Sequence, residues 1–456
     1  MIARELANAA TVPLLRRAAL DRPAPVPPVR IVHLGLGAFH RSHQAWYTAH
    51  AEDSSEWGIA AFTGRTPDAA RALRAQEGVY TLVVRDAQGD RYETVGSIVE
   101  AWPGDDATRF VRTISAPAVA VVTLTVTEAG YRLTSAGEPD VDDPAVASDL
   151  RLLRGLVADG GTIPATAPRT ALARLLLGLR ARRLLDAPPV AIVPCDNLPA
   201  NGGLVRAALT GLAEQVDPAL AAWLPQGASF VSTSVDRITP RLDPRDRDLV
   251  AAATGWSDSV PVVAEPFADW VLAGGFPAGR PRWETAGARF VDDIAPWEAR
   301  KLWLLNGAHT LLASTGRLRG HETVAEAFAD PECRREVELL WDEAAATLPE
   351  VETRDYRRAL AARFANPRIV HRLAQIAEGS ETKLRLRIVP VAEAERAAGR
   401  NATGCATAIA AWIRQEAPGA DAATVTHDLS PALGRDDRFV ATVRHILPTL
   451  PAGPTR

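Results

Sequence analysis

Short apolar runs alternate with helically spaced apolar stripes along the first two-thirds of the chain, and then the runs stop. Val32-His33-Leu34 leads into Gly35-Leu36-Gly37, a strand ending in a glycine turn, and a helix is expected to begin near Ala38. Residues 59–63 read as a second strand. Residues 79–84 and 92–99 flank Gln88-Gly89-Asp90 as the arms of an antiparallel hairpin. Segments 118–125, 190–194 and 230–235 are continuous apolar or β-branched runs, as expected of strands buried on both faces. Helical patterns separate them, among them the Leu/Arg-striped stretch 169–185. This alternation predicts a mostly parallel, doubly wound sheet with a hairpin insertion.

Beyond about residue 290 the strand signal fades. Segments 296–314, 323–329, 331–348, 355–364, 369–378 and 405–415 carry helical periodicity, with Pro296 suited to a first turn and Gly316 to a stop. The expected organisation is a Pro-rich lead-in over residues 1–29, a Rossmann-like α/β domain over 30–290 and an all-helical domain over 291–456.

Composition narrows the function classes. A chain of 456 residues supports two or three cores, and 47% hydrophobic with 23% charged residues is ordinary for a globular protein. The net charge of −4 offers no basic footprint for nucleic acid or an anionic membrane. Three scattered cysteines (Cys195, Cys333, Cys405) fit a reducing compartment better than a disulfide framework. Arg4, Glu5, Arg16 and Arg17 interrupt the N-terminal region, so no signal peptide is expected, and no run reaches the ~18 apolar residues of a membrane span. A cytoplasmic monomer or small homo-oligomer acting on a small molecule is the expectation.

The glycine turn is a candidate phosphate cradle. Gly35 lets the chain bend, Gly37 lets a pyrophosphate approach the backbone, and helix N–H groups near Ala38, Phe39, His40 and Arg41 would face the anion. The third glycine of the usual fingerprint is replaced by His40. Lys301, Asn306 and His309 form the most telling polar group. On an α-helix Asn306 lies ~140° and His309 ~80° around from Lys301, so the three share one side over roughly 12 Å. Polar groups on a Leu-rich helix are costly to bury unless something binds there, though a solvated or capping arrangement is the alternative. Lys301 near a helix start, and buried, would have a lowered pKa suited to taking a proton from a hydroxyl; its alternative is a surface pair with Glu298.

Asn197, just past a buried strand, can donate to a developing alkoxide or simply build a turn with Asp196. Asp236 and Arg237 also follow a strand, as substrate ligands or as a structural ion pair. Arg372 and Lys383 bracket 375–380 and either face an anionic substrate or cap a solvated helix end. No zinc set is completed around His40 and His43, Cys195 lacks a paired base, and a G-x-S-x-G elbow is absent.

These segments resemble the polyol-specific long-chain dehydrogenases, the family of mannitol 2-dehydrogenase and fructuronate reductase. The resemblance runs from about residue 30 to 390. It is carried by residues 35–45, Leu124-Thr125-Val126-Thr127-Glu128-Ala129-Gly130-Tyr131, Cys195-Asp196-Asn197, Val235-Asp236-Arg237-Ile238, Ala264-Glu265-Pro266-Phe267, the Lys301/Asn306/His309 set and Arg363-Phe364-Ala365-Asn366-Pro367. It implies a metal-independent general acid/base at Lys301, an oxygen held by Asn197 and Asn306, and a sugar chain surrounded by Asp236, His309, Arg372 and Lys383. It implies NAD as coenzyme, with Thr125 beside it, and a site between the two halves. The register at Lys383 departs from the family, which has Lys-Leu-Pro where this chain reads Lys383-Leu384-Arg385. After the second strand no Asp or Glu stands for the ribose hydroxyl, and Arg65 there would suit the phosphate of NADP. The wording around Gly37–Arg41 and Trp46-Tyr47-Thr48 resembles the fructuronate branch, and Arg385 and Arg387 favour a carboxylate. Mannitol/fructose is the close rival, and a non-catalytic sugar-acid or nucleotide sensor the rival of another class.

Overall fold

The computed structural model describes residues 12–20, 25–64 and 66–453, so most of the expected lead-in and Arg65 lie outside the described residues. The strands among them are β1 (Val29–Leu34), β2 (Gly58–Phe62), β3 (Tyr80–Asp86), β4 (Gly89–Val95), β5 (Ile98–Trp102), β6 (Val121–Leu124), β7 (Val190–Pro194), β8 (Ala228–Phe230), β9 (Ser232–Asp236), β10 (Val262–Ala264), β11 (Asp269–Ala273) and β12 (Arg289–Phe290). Two compact units divide at Ile294/Ala295, with the hairpin tip Asp86–Gly89 grouped with the second.

In the first unit β5-β2-β1-β6-β7-β8 form one parallel sheet. Counting only these six, the spatial order is third, second, first, fourth, fifth, sixth: the doubly wound arrangement with its switch point between β1 and β6. Period-two alternation sorts each strand onto both faces. Val32, Leu34, Phe62, Val122 and Ile192 enter one core, while Ile31, Ile59, Ala61, Val121 and Val193 enter the other.

Three expected elements differ. The run 92–99 is not one arm of a hairpin: β4 ends at Val95, and β5 joins the parallel sheet after Gly96-Ser97. The Ser97 carbonyl accepts from Ile59 N at 2.9 Å, and its hydroxyl donates to the Ala45 carbonyl at 2.7 Å, which fixes the crossover. The run 230–235 likewise divides at Val231, β8 edging the six-stranded sheet and β9 pairing antiparallel with β11. The third difference lies in the second unit, where the expected stop at Gly316 is an interior position of the helix Gly307–Leu318. A Cβ there would lie 2.7 Å from Ala327 Cβ and 2.9 Å from Leu373 Cδ1, so the glycine serves close helix packing. The chain turns at Gly320 instead, at φ +85°.

The second unit is all-helical from Ala295 to the end of the described residues. Its central helix, Gly307–Leu318, is buried almost all round and packs against Val324–Ala329, Pro331–Ala346, Leu373–Ala377 and Thr403–Glu416. A helix buried on nearly every side sits inside its bundle.

Candidate active site

The glycine turn follows β1 at the switch point. Gly35 has φ +108°, and a Cβ there would come 2.4 Å from the Thr125 carbonyl oxygen, so conformation and contact both require glycine. Gly37 is extended (φ −136°) and needs no conformational licence. A Cβ at Gly37 would meet only Gly35 O, at 3.4 Å, so its missing side chain keeps open the space beside the turn. That is a cradle a pyrophosphate fits. The helix after it begins at Ala38 as expected but runs only to Ser42, breaks at His43 and resumes as Gln44–His50. A helix of little more than one turn leaves its local N–H groups as the anion donors.

A buried network sits under the turn. The Thr125 hydroxyl donates to Gly35 O at 2.8 Å, so its oxygen accepts from His33 Nε2 at 3.0 Å. His33 then accepts at Nδ1 from the Thr123 hydroxyl, 2.8 Å away. Burial holds His33 neutral, its pKa lowered to about 3. His40 stacks on it with ring centroids 3.3 Å apart, and burial, His33 and Arg41 push its pKa well below the ordinary value. Arg41, expected at the coenzyme, braces the turn: Nε donates to Gly37 O at 3.1 Å and Nη1 to Val260 O. Phe39 is half-buried and stacks on His43, 5.0 Å between centroids, which leaves half-buried Gly37 and exposed Ala38 as the open edge.

Past β7, the turn reading holds at Asp196. Asp196 is buried and builds the turn, accepting from Tyr131 Oη at 2.6 Å, Leu198 N at 2.9 Å and Asn201 Nδ2 at 3.3 Å. Asn201 Oδ1 also accepts from Thr233 N at 2.8 Å, tying the loop to β9. Asn197 is exposed on this pinned loop. Asp236 is buried at the end of β9, opposite Asp269 of β11. Arg237 is a brace: Nη1 donates to Ser42 O at 2.6 Å and Nε to Glu265 O at 3.1 Å, with its guanidinium over Trp46.

In the second unit the segment carrying Lys301 corrects the expected geometry. Ala295–Arg300 is α-helical, Lys301–Asn306 is a π-helix, and Gly307–Leu318 returns to α. In i→i+5 bonding the helix widens to about 4.4 residues per turn, so Lys301 and Asn306 lie roughly 50° apart around the axis rather than the ~140° of an α-helix. Trp341 Nε1 donates to the Leu304 carbonyl at 2.9 Å inside the core. Thr310 Oγ1 donates to the Asn306 carbonyl at 2.9 Å, and Arg387 Nη1 donates to the same oxygen at 3.4 Å and to Thr310 Oγ1 at 3.2 Å. Lys301 and Asn306 are half-buried.

His309 is buried and its Nε2 has no hydrogen-bond partner among the described residues. Burial, then His371, Arg363 and Arg387, push its pKa well below the ordinary value, so the ring is neutral near pH 7. Its neighbours include the rings of Phe364 at 4.9 Å and His371 at 4.8 Å. Sequence reasoning missed His371, which is adjacent to the residue it did select. Arg372 is itself 64% exposed and pairs with Glu322 at 3.5 Å. Lys383 donates from Nζ to Ile376 O at 2.8 Å and Glu378 O at 2.5 Å, closing the end of the helix Leu373–Ala377. Lys383 thus makes the helix-end contacts the sequence offered as one alternative, while Arg372 reaches Glu322 at the surface. One further group, His321, Asp330 and Cys333, brings its ligand atoms within 4.8 Å. The imidazole and carboxylate already pair at 2.9 Å, and Asp330 caps Pro331–Ala346.

Comparison with known proteins accounts for both units. Residues 29–285 match the mannitol dehydrogenase Rossmann domain, and residues 293–435 match the mannitol dehydrogenase C-terminal domain. The chain belongs to the mannitol dehydrogenase family. It is 36% identical over 397 residues to D-mannonate oxidoreductase of Escherichia coli K12, covering 84% of this chain and 79% of that one. Mannitol 2-dehydrogenase of Cereibacter sphaeroides is 35% identical over 409 residues, 87% and 82% of the two chains. Among solved structures, the Pseudomonas fluorescens mannitol 2-dehydrogenase ternary complex with NAD and D-mannitol superposes with a TM-score of 0.73 at 29% identity, covering 95% and 96%. The chain is thus an oxidoreductase of this family. Among the described residues no helix is long and apolar enough to cross a membrane.

Proposed function

We propose that the protein interconverts a polyol or aldonate with its ketose or ketouronate, using NAD, and that its substrate pair is D-mannonate and D-fructuronate. The observation that carries the reading is the π-helical turn that brings Lys301 and Asn306 toward one face, one helix turn before His309, whose Nε2 has no hydrogen-bond partner among the described residues. When bound, the coenzyme exchanges a hydride with the carbinol carbon, and the Gly35–Gly37 turn with Thr125 is what would hold its phosphates. Lys301, as the neutral amine, takes the hydroxyl proton during oxidation and, as the ammonium, returns it to the oxygen during reduction. Asn197 and Asn306 donate to the oxygen as it becomes alkoxide-like; loss of one such donor costs ~10²–10³ in kcat. Neutral His309 accepts a hydrogen bond from a substrate hydroxyl, and buried Asp236 accepts one from another. The lean toward the acid pair is supported by similarity to the E. coli D-mannonate oxidoreductase.

Initial rates with NADH and NADPH across D-fructuronate, D-fructose and related ketoses test this. Reduction of D-fructuronate with NADH is expected to dominate. Reduction of D-fructose but not D-fructuronate would move the substrate to mannitol/fructose, and a preference for NADPH would overturn the coenzyme assignment.

A further inference from the structure

Two arginines near the C-terminal end of the helix Ser380–Arg387 differ in what they touch. Arg385 is exposed and committed to the surface: it pairs with Glu381 at 2.7 Å and donates to the carbonyls of Asp428 and Leu429. Arg387 is half-buried and forms no ion pair among the described residues. Its contacts there are neutral oxygens, the Asn306 carbonyl and the Thr310 hydroxyl, both reached by Nη1. Burial lowers its pKa, and no neighbouring carboxylate opposes that shift. Its charge instead bears on His309, helping to push that imidazole toward the neutral form. A guanidinium carries five donors in a planar fork. Two contacts at one nitrogen leave most of them over, beside the turn that holds Asn306 and His309.

A half-buried cation without a counter-ion is an unfavourable element of a folded protein unless an anion arrives. We propose that Arg387 is the specificity-determining residue, receiving the substrate's carboxylate in a charge-assisted pair and selecting a sugar acid over the neutral polyol. The inference rests on the functional reading above and deepens it. Arg385, flagged equally by the sequence, is excluded by its existing partners.

The test is the ratio of kcat/KM for D-fructuronate to that for D-fructose, measured in the wild type, Arg387→Met and Arg387→Lys. In Arg387→Met the ratio is expected to fall about 100-fold or more. Arg387→Lys should recover part of it, because the charge returns without the planar fork. A ratio unchanged while both substrates lose activity equally would show that Arg387 only braces the Asn306 carbonyl, and would overturn the proposal. So would a ratio unchanged with both activities intact. Calorimetric titration of D-mannonate and of D-mannitol into the NAD-loaded protein reads the same preference without turnover. Mannonate binding that depends on Arg387 in a protein that reduces neither ketone would sink the catalytic reading and leave this one standing. Mannonate and mannitol binding equally well to wild type would sink this one alone.

Discussion

Lys301 opens the π-helical turn, half-buried, and Asn306 closes it. The proposed chemistry gives it one task, moving the hydroxyl proton, so truncation should separate chemistry from coenzyme binding. Lys301→Ala is expected to lower kcat by roughly 10²–10⁴, the range of a positioned general acid/base, while NADH binding followed by fluorescence stays within about threefold. A variant with near-wild-type turnover would remove the lysine from the mechanism. The residue types at this site were legible in the chain. What each does was legible only where chemistry allowed one answer. Gly35 is such a case, and Arg41 is not: the sequence placed it at the turn, and only the fold shows its guanidinium bracing the Gly37 and Val260 carbonyls.

At the level of elements, the change from α to π and back is the decisive departure. Apolar spacing through 296–314 suggests one regular helix, because a π insertion shifts register without altering which residue types are apolar. The turn is held from outside, by Trp341 Nε1 on the Leu304 carbonyl and by Thr310 and Arg387 on that of Asn306. Such insertions recur at functional sites. Trp341→Phe keeps most of the bulk but leaves the buried Leu304 carbonyl without that donor, a loss of about 1–3 kcal/mol in stability. Because a small misplacement of reacting groups is costly to the rate, kcat is expected to fall ~10- to 100-fold with the coenzyme dissociation constant unchanged. Loss of melting temperature alone, with kcat intact, would show that the π turn holds without this bond.

Across the whole molecule, buried neutral histidines set a pH limit. His33, His40 and His309 all have pKa values lowered in the fold, first by desolvation. A base whose folded pKa is depressed binds fewer protons than it does unfolded, so its contribution is full above ~6.5 and is lost as pH falls. For His33, lowered to about 3, the loss reaches roughly 1.4 kcal/mol by pH 5.5, and His40 and His309 act in the same direction. His50 runs the other way, since desolvation is outweighed by its pairing with Glu93 and its pKa rises. Melting temperature should therefore drop between pH 7.5 and 5.5, opposed by His50 and by groups such as Glu336 and Glu343, whose pKa values burial raises. A flat profile over that interval would mean that these rings reach water.

The sequence by itself determined the parallel sheet, its glycine turn at the switch point, the change to an all-helical second unit and the residue types gathered at the site, because strand and helix periods and glycine's lack of a Cβ are properties of the local chain. Only the tertiary structure decided that 92–99 and 230–235 each divide between sheets, that His40 stacks beneath the turn on His33, and that Lys301 and Asn306 align through a π turn. Those outcomes depend on which backbone groups find partners from distant segments, such as Ser97 with Ala45 or Leu304 with Trp341. No local pattern encodes a partner dozens of residues away.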